Sequence, residues 1–529
     1  MSKKHRYFIV LVVVNSVALI LVSACGGAVS QRSQTEFYSG DYLAAVTEAE
    51  GQSSVMYLSA HPTQLAPPND QAYHDVFFED YGVNPFIDTE DDQLSTFALD
   101  VDTGSYSIAR YYLNDGNLPP NDAVRVEEFI NYFDHDYPYP PEGKAFGIYI
   151  DGAPSPFGET ERYQMMRVGI QGYAVPAELR KDVSLTFVID VSGSMDMQDR
   201  LGLVKESLEL LLEQLRPTDQ VSIVVYGSYA RAILEPTNGD RTETIMNTIR
   251  ALRAEGSTNA EAGLYLGYQM AMQAFNPEGI NRVILCSDGV ANVGNTGAGS
   301  IWESVKGYAS EGITLTTVGF GMGNYNDVLM EQMADNGDGF YAYVDTINEA
   351  ERLFVENLTS TLQVIAMDAK VQVDFNPEVV ARYRLIGFEN RAVADDDFRD
   401  DTVDAGEIGA GHDVTALYEI KMHPEAAGRI ATVFMRWQDP DSRKVFELNQ
   451  DIDFAEIAAS FSETDPYFQW DVLVAEFGEI LRESYWAQDS TLLGVLEDVE
   501  RVSRLLGEDA DRIEFVDMVR RASQLAIEP

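Results

Sequence analysis

Residues 186 to 196 read TFVIDVSGSMD. A run of apolar and β-branched side chains ends in Asp190, and Ser192 and Ser194 follow at every second position. Two later stretches add like groups: GSTN brings Thr258 and CSDG brings Asp288. Together these are two carboxylates and three hydroxyls, all hard oxygen donors. Such a set suits Mg²⁺ or another hard divalent cation such as Mn²⁺ or Ca²⁺, and has no use for a soft metal. The donors are too few to complete six coordination without water or an outside ligand.

The elements that must position them are legible around them. Between about 183 and 364 the apolar runs SLTFVID, VSIVVYG, RVILCSD, ITLTTVGFG and GFYAYVD alternate with helical stretches. On RLGLVKESLELLLEQL an apolar stripe runs through Leu203, Leu208, Leu211, Leu212 and Leu215. Strands alternating with helices predict an α/β fold, a doubly wound and mostly parallel sheet covered on both faces. In such a sheet the carboxyl ends of the strands share one edge, where neighbouring loops converge on a ligand. DVSGS and CSDG each follow a predicted strand, and GSTN ends one helix and caps the next. NEAERLFVENLTSTLQV is expected to close the unit as one helix.

DVSGSM, GSTN and SDG match, in identity, order and rough spacing, the metal-ion-dependent adhesion site of the von Willebrand factor type A domain, and the chain resembles that family here. The resemblance implies direct coordination by Ser192 and Ser194, with Thr258 direct or through water, and Asp190 and Asp288 mainly through water. It also implies a sixth position taken by an Asp or Glu of a partner protein. Outside this domain, FALDVDTGSYSIARYYL, YRLIGFENR and VDAGEIGAGHDVTALYEI look like the bacterial YfbK-type lipoproteins, which carry a leader segment, the type A domain and a C-terminal domain.

The first 24 residues read as a signal sequence: Lys3, Lys4 and Arg6 precede an apolar run broken by Asn15 and Ser16, too short for a permanent span. The ending Val22-Ser23-Ala24-Cys25 resembles the bacterial lipobox and implies lipidation of Cys25. Gly26 and Gly27 favour the periplasmic face of an outer membrane where the cell has one. Residues 25–83 are rich in Ser, Gln, Ala, Pro and Asp with no sustained period and read as a tether. The remaining expectations are an N-terminal α+β segment at 84–182, the type A domain at 183–365, a β-sandwich-like layer at 366–460 and three helices at 461–529. With 529 residues, 86 acidic against 37 basic, the formal net charge is -49. A surface so acidic repels nucleic acid, which is excluded as a partner.

Weaker candidates surround this core reading. Asp102-Thr103-Gly104 would be half of an aspartic protease dyad, but no second copy follows to share the proton. Asp100 and Asp102 therefore read as local caps of a turn after a strand. Asp134-His135-Asp136 reads as a solvated turn, and ADDDFRDD at 394–401 as a solvated loop. Cys286 sits in RVILCSDG, where it packs as a small hydrophobe. No HExxH, Gly-x-Ser-x-Gly or GxxxxGK motif occurs. The expectation is thus a non-catalytic envelope lipoprotein that binds a protein through a metal ion. The rivals are a scaffold whose metal only stabilises the fold, and a hydrolase with a site in the C-terminal region.

Overall fold

Four strands precede the central alternation: β1 (Ile87–Asp88), β2 (Leu94–Ala98), β3 (Phe146–Pro154) and β4 (Tyr163–Gly172). The alternation itself holds β5 (Val183–Asp190), β6 (Gln220–Tyr226), β7 (Ala230–Asn238), β8 (Ile280–Ser287), β9 (Ile313–Phe320) and β10 (Tyr341–Val344). Six more follow: β11 (Val364–Phe375), β12 (Val380–Ile386), β13 (Gly406–Gly409), β14 (Asp413–Met422), β15 (Arg429–Gln438) and β16 (Val445–Asp453). The computed structural model describes residues 78–526 apart from residues 159, 290–304, 322–324 and 404. The expected leader, Cys25 and the tether as far as residue 77 lie outside the described residues.

The central sheet has the order β10-β9-β8-β5-β6-β7. Its pairs are parallel except β6 with β7, which runs antiparallel at the edge. Every residue of β5 is buried, as a strand with helices over both faces requires. Alternate side chains point to opposite faces, so Phe187 and Ile189 join one core with Leu208 and Leu211, while Val188 joins another with Leu264 and Val283. The leucine stripe on the helix Arg200–Glu213 faces this sheet as expected: Leu208, Leu211 and Leu212 are buried, and Leu203 and Leu215 pack beside them. The expected single closing helix is instead broken into Ile347–Glu351, a π-turn at Arg352–Glu356 and Leu358–Leu362. Arg352, the first residue of the π-turn, lies over the Tyr132 ring, 3.9 Å from its centroid.

Outside the central sheet, spatial order departs from chain order. One five-stranded sheet runs β1-β12-β14-β4-β3, and the other runs β13-β11-β15-β16 with β2 also on β11. Strands from before and after the central domain therefore interleave, β4 pairing with β14 from Tyr163↔Lys421 to Gln171↔Asp413. Segment 84–182, expected to form its own α+β unit, contributes four of the ten described strands of a sandwich whose inner faces meet at residues such as Phe97, Val168, Val371, Tyr418 and Val433. Alternation shows that a segment is a strand and which face it buries, but carries no address for its partner. A hairpin such as β3 and β4 is marginal without further strands.

The helices repeat this pattern. Gly104–Asn114 and Val126–Ile130 pack with the C-terminal helices Pro466–Leu481, Leu492–Leu506 and Ala510–Leu525 around Tyr106, Phe133, Trp470 and Phe515. Three arginines from outside the central domain, Arg110 and Arg125 buried and Arg391 half-buried, then reach it. Arg110 meets Asp345 and Glu349, Arg125 meets Asp327, and Arg391 meets Glu331 and Asp335.

The turn candidates resolve accordingly. Asp100 Oδ1 accepts from the Asp102 N–H at 2.9 Å, the expected local cap. Both residues are nevertheless buried and bound to Arg391. His135 is not on a solvated turn: it is buried, with Nδ1 2.9 Å from Asp413 and Nε2 3.4 Å from Asp471. Burial works against its charged form, yet Asp471 and Asp413 carry its pKa above the usual value. The partners come from a strand and a helix hundreds of residues away, so no local signal marks them. Within 394–401, Phe398 is buried and the flanking acids are largely exposed.

Candidate metal centre

Asp190 ends β5, the inner strand that pairs with both β6 and β8. The chain then turns sharply, because Asp190 Oδ1 accepts from the Ser192 N–H at 2.7 Å. Its other oxygen accepts from the Ser287 hydroxyl, at the end of β8, at 3.2 Å. The carboxylate is thus met by neutral donors from both strands and is fully buried. Burial pushes its pKa up to about 6, the Ser192 backbone hydrogen bond opposes this, and nearby Asp288 adds to it.

Ser192 and Ser194 place their Oγ atoms 3.0 Å apart. Neighbouring ligands on an octahedral ion with bonds of about 2.1 Å stand about 3.0 Å apart, so this spacing suits Mg²⁺. The GSTN loop is tied to the same turn by backbone: the Gly193 N–H donates to Gly256 O at 3.1 Å, and the Glu255 N–H to Val191 O at 2.5 Å. Gly256 has φ +83°, and a Cβ there would lie 2.7 Å from Ser228 Oγ, so this turn needs glycine. Thr258 follows two residues later, half-buried, and Asn259 caps the helix Ala260–Gln273 by accepting from the Ala262 N–H.

Asp288 follows β8 and is also buried. Its Oδ2 lies 2.6 Å from Arg200 Nη1, which also approaches Ser194 O at 3.5 Å. The structure therefore joins Asp190, Ser192 and Ser194 by hydrogen-bond distances, reaches Asp288 by way of Arg200, and brings the Thr258 loop to them through its backbone. Arg200, Ser287 and Gly321 belong to the surroundings and were not anticipated. Gly321, after β9, has φ +81°, and a Cβ there would stand 2.4 Å from Arg200 Nε. No motif marks Arg200, since its role depends on a carboxylate 88 residues away.

The donor chemistry fits a hard cation. Among the described residues, no three or more His, Cys, Asp or Glu side chains gather as a metal cluster. A dication beside Asp190 would offset the cost of keeping that carboxylate charged in a buried place. Cys286 is buried in β8, and burial pushes its thiol up to about 12, which leaves it an inert packing group.

The Escherichia coli K12 protein YfbK is 35% identical over 491 residues, 88% of this chain and 83% of that protein. The chain belongs to the YfbK family. The family model described as "Uncharacterized protein YfbK, C-terminal" matches residues 360–525, and the von Willebrand factor type A domain model matches 184–356. A further model, described as von Willebrand factor, matches 72–167. Human inter-alpha-trypsin inhibitor heavy chain H4 is 29% identical over 163 residues, 29% of this chain and 17% of that protein. A solved von Willebrand factor type A protein from Catenulispora acidiphila aligns over 73% of this chain and 91% of its own, at 14% identity and a TM-score of 0.44. The YfbK C-terminal match covers β11 to β16, the strands that complete the sandwich with β1 to β4.

Proposed function

We propose that this protein is an envelope lipoprotein that binds a protein partner through a divalent cation, Mg²⁺ by preference, held at the edge of β5 and β8. The observation that carries the reading is the Ser192 and Ser194 pair, 3.0 Å apart beside a buried Asp190. Ser192, Ser194 and Thr258 would hold the ion, with Asp190 and Asp288 balancing its charge. When bound, the ion supplies a positive centre for a partner's Asp or Glu, and hydroxyl ligands leave it more electrophilic than carboxylates would. The chain's own residues orient that centre: the Ser192 N–H and Ser287 hydroxyl fix Asp190, and Arg200 fixes Asp288. No general acid or base is needed, and the protein acts as an adhesion module and not as an enzyme. Lipidation of Cys25 would hold it on the periplasmic face of an outer membrane.

The test is capture from detergent-solubilised envelope by the full chain, in Mg²⁺, in EDTA, and with Ser192→Ala/Ser194→Ala. A defined protein captured only by the wild type with metal is the expected result. Equal capture in all three arms would sink the reading. If Mg²⁺ raises the unfolding temperature while capture is indifferent to it, the metal is only a stabiliser. Loss of lipid labelling in Cys25→Ser would support the anchor, and unchanged labelling would refute it.

A further inference from the structure

A groove of about 740 Å³ opens beside the metal centre, between the edge strand β7 and the helix Thr242–Arg250. One end is made by the centre's own loops. Val191, which lines the groove, lies between Asp190 and Ser192, and Glu255, which also lines it, precedes Gly256. The floor is apolar, with Val191 and Leu252 buried and Ile233 half-buried. A helix of nine residues spans about 13 Å, enough for roughly four residues of extended chain.

The charge around this groove is opposite to that of the molecule. On a chain of net charge -49, Arg231 and Arg253 line it. Arg231 pairs with Glu255 at the end nearest the metal centre and lies over the ring of Tyr229, which is exposed. Arg253 is exposed, and its Nη1 donates to the carbonyl oxygens of Arg250 and Leu252 at 2.8 and 2.6 Å. Those neutral partners leave its positive charge available to the groove. Exposed tyrosine and arginine beside an apolar floor are the residue types that anchor protein interfaces.

Resting on the metal-bridged reading above, we propose that this groove is the second half of the same interface. It takes an extended segment of the partner whose aliphatic side chains fill the floor and whose further carboxylate meets Arg253, while the first carboxylate reaches the ion. An acidic segment would be repelled elsewhere on this chain, so the arginines and the cation together select both its position and its direction.

The test pans a random dodecapeptide library displayed on phage against the full chain in detergent with Mg²⁺. Enriched peptides are then synthesised and measured by fluorescence anisotropy. The expected sequences carry two acidic residues separated by aliphatic ones. Asn247→Glu and Arg253→Glu, both exposed positions on the groove, should each weaken binding about tenfold, the size expected where a new like charge faces a ligand carboxylate. EDTA or Ser192→Ala/Ser194→Ala should weaken it as well. Sensitivity to metal with none to Asn247→Glu or Arg253→Glu would overturn the groove and leave the metal reading standing. Sensitivity to the groove variants with none to EDTA would keep the groove and overturn the metal reading. No enriched sequence, or enrichment of basic peptides, would overturn the groove assignment. Peptides matching this chain's own sequence would replace the partner with a second copy or the chain itself.

Discussion

The metal edge and the arginine junction of the central domain both bury carboxylates, yet they balance them by different means. At the junction Arg391 lies 2.9 to 3.3 Å from Asp100, Asp102, Glu331 and Asp335, and Arg125 lies 2.6 Å from Asp327. Protein cations brought from distant elements satisfy these acids. At the metal edge Arg200 serves Asp288, while Asp190 accepts from a backbone N–H and a hydroxyl. The junction thus balances its acids with the protein's own cations, whereas Asp190 is met by neutral donors. Burial of acids alone therefore does not set how they are balanced; the elements packed against them do.

The comparison breaks first at Arg391. Arg391→Met would leave four acids around an uncharged side chain, and the cost of removing one partner of a buried ion pair is about 3–5 kcal/mol. Urea unfolding should show that loss, and a change below about 1 kcal/mol would mean that the junction is not what holds the domains.

Beside the junction, burial pushes Glu127 up to about 7 from 4.5, with Glu389 adding to the shift. A raised folded pKa means that the stability from this group is fully present below 4.5 and is lost as pH rises through 7. Glu127→Gln, neutral throughout, should therefore be more stable than wild type at pH 8 by roughly 3 kcal/mol, the linkage value of such a shift, and equal to it at pH 4.5. A pH-independent difference in unfolding free energy would contradict this.

At the metal edge the loss should be of binding. Ser192→Ala/Ser194→Ala is expected to weaken Mg²⁺ binding, read by calorimetry, at least about 100-fold, since even outer-shell changes cost up to that much. Its unfolding free energy in EDTA should stay within about 1 kcal/mol of wild type. Large destabilisation with intact metal binding would reverse the comparison. The smallest effect should come from Gly321→Ala, whose Cβ would displace Arg200 and occupy a left-handed conformation. A cost of about 1–2 kcal/mol is expected from such strain, with Mg²⁺ affinity shifting as Asp288 loses its partner. Unchanged affinity would show that Arg200 does not position Asp288.

Much of the metal edge was legible because its parts are local. A strand, a turn closed by its own Asp190 side chain and two hydroxyls at alternate positions all lie within eleven residues, where periodicity and turn chemistry operate. Arg200 escaped notice because a long side chain ten residues downstream can point anywhere until the helix is packed. His135 escaped for the same reason: beside two aspartates it reads as a wet turn, but Asp413 and Asp471 enclose it. The sandwich was half visible. Strands β11, β12, β14, β15 and β16 were recognised by alternation, whereas their pairing with β1, β2 and β4 was not.

By itself the sequence determined the five parallel strands of the central sheet, though not its antiparallel edge strand β7, the hydroxyl and carboxylate loops at its edge, and the three terminal helices, because these depend on short-range patterns of burial and backbone preference. Tertiary structure alone decided which distant strands share a sheet, where the arginines find their acids and how a groove comes to adjoin the metal loops. Those outcomes depend on contacts between residues tens to hundreds of positions apart. Such contacts form where burial and charge balance are satisfied together, and neither condition can be read from one segment of chain.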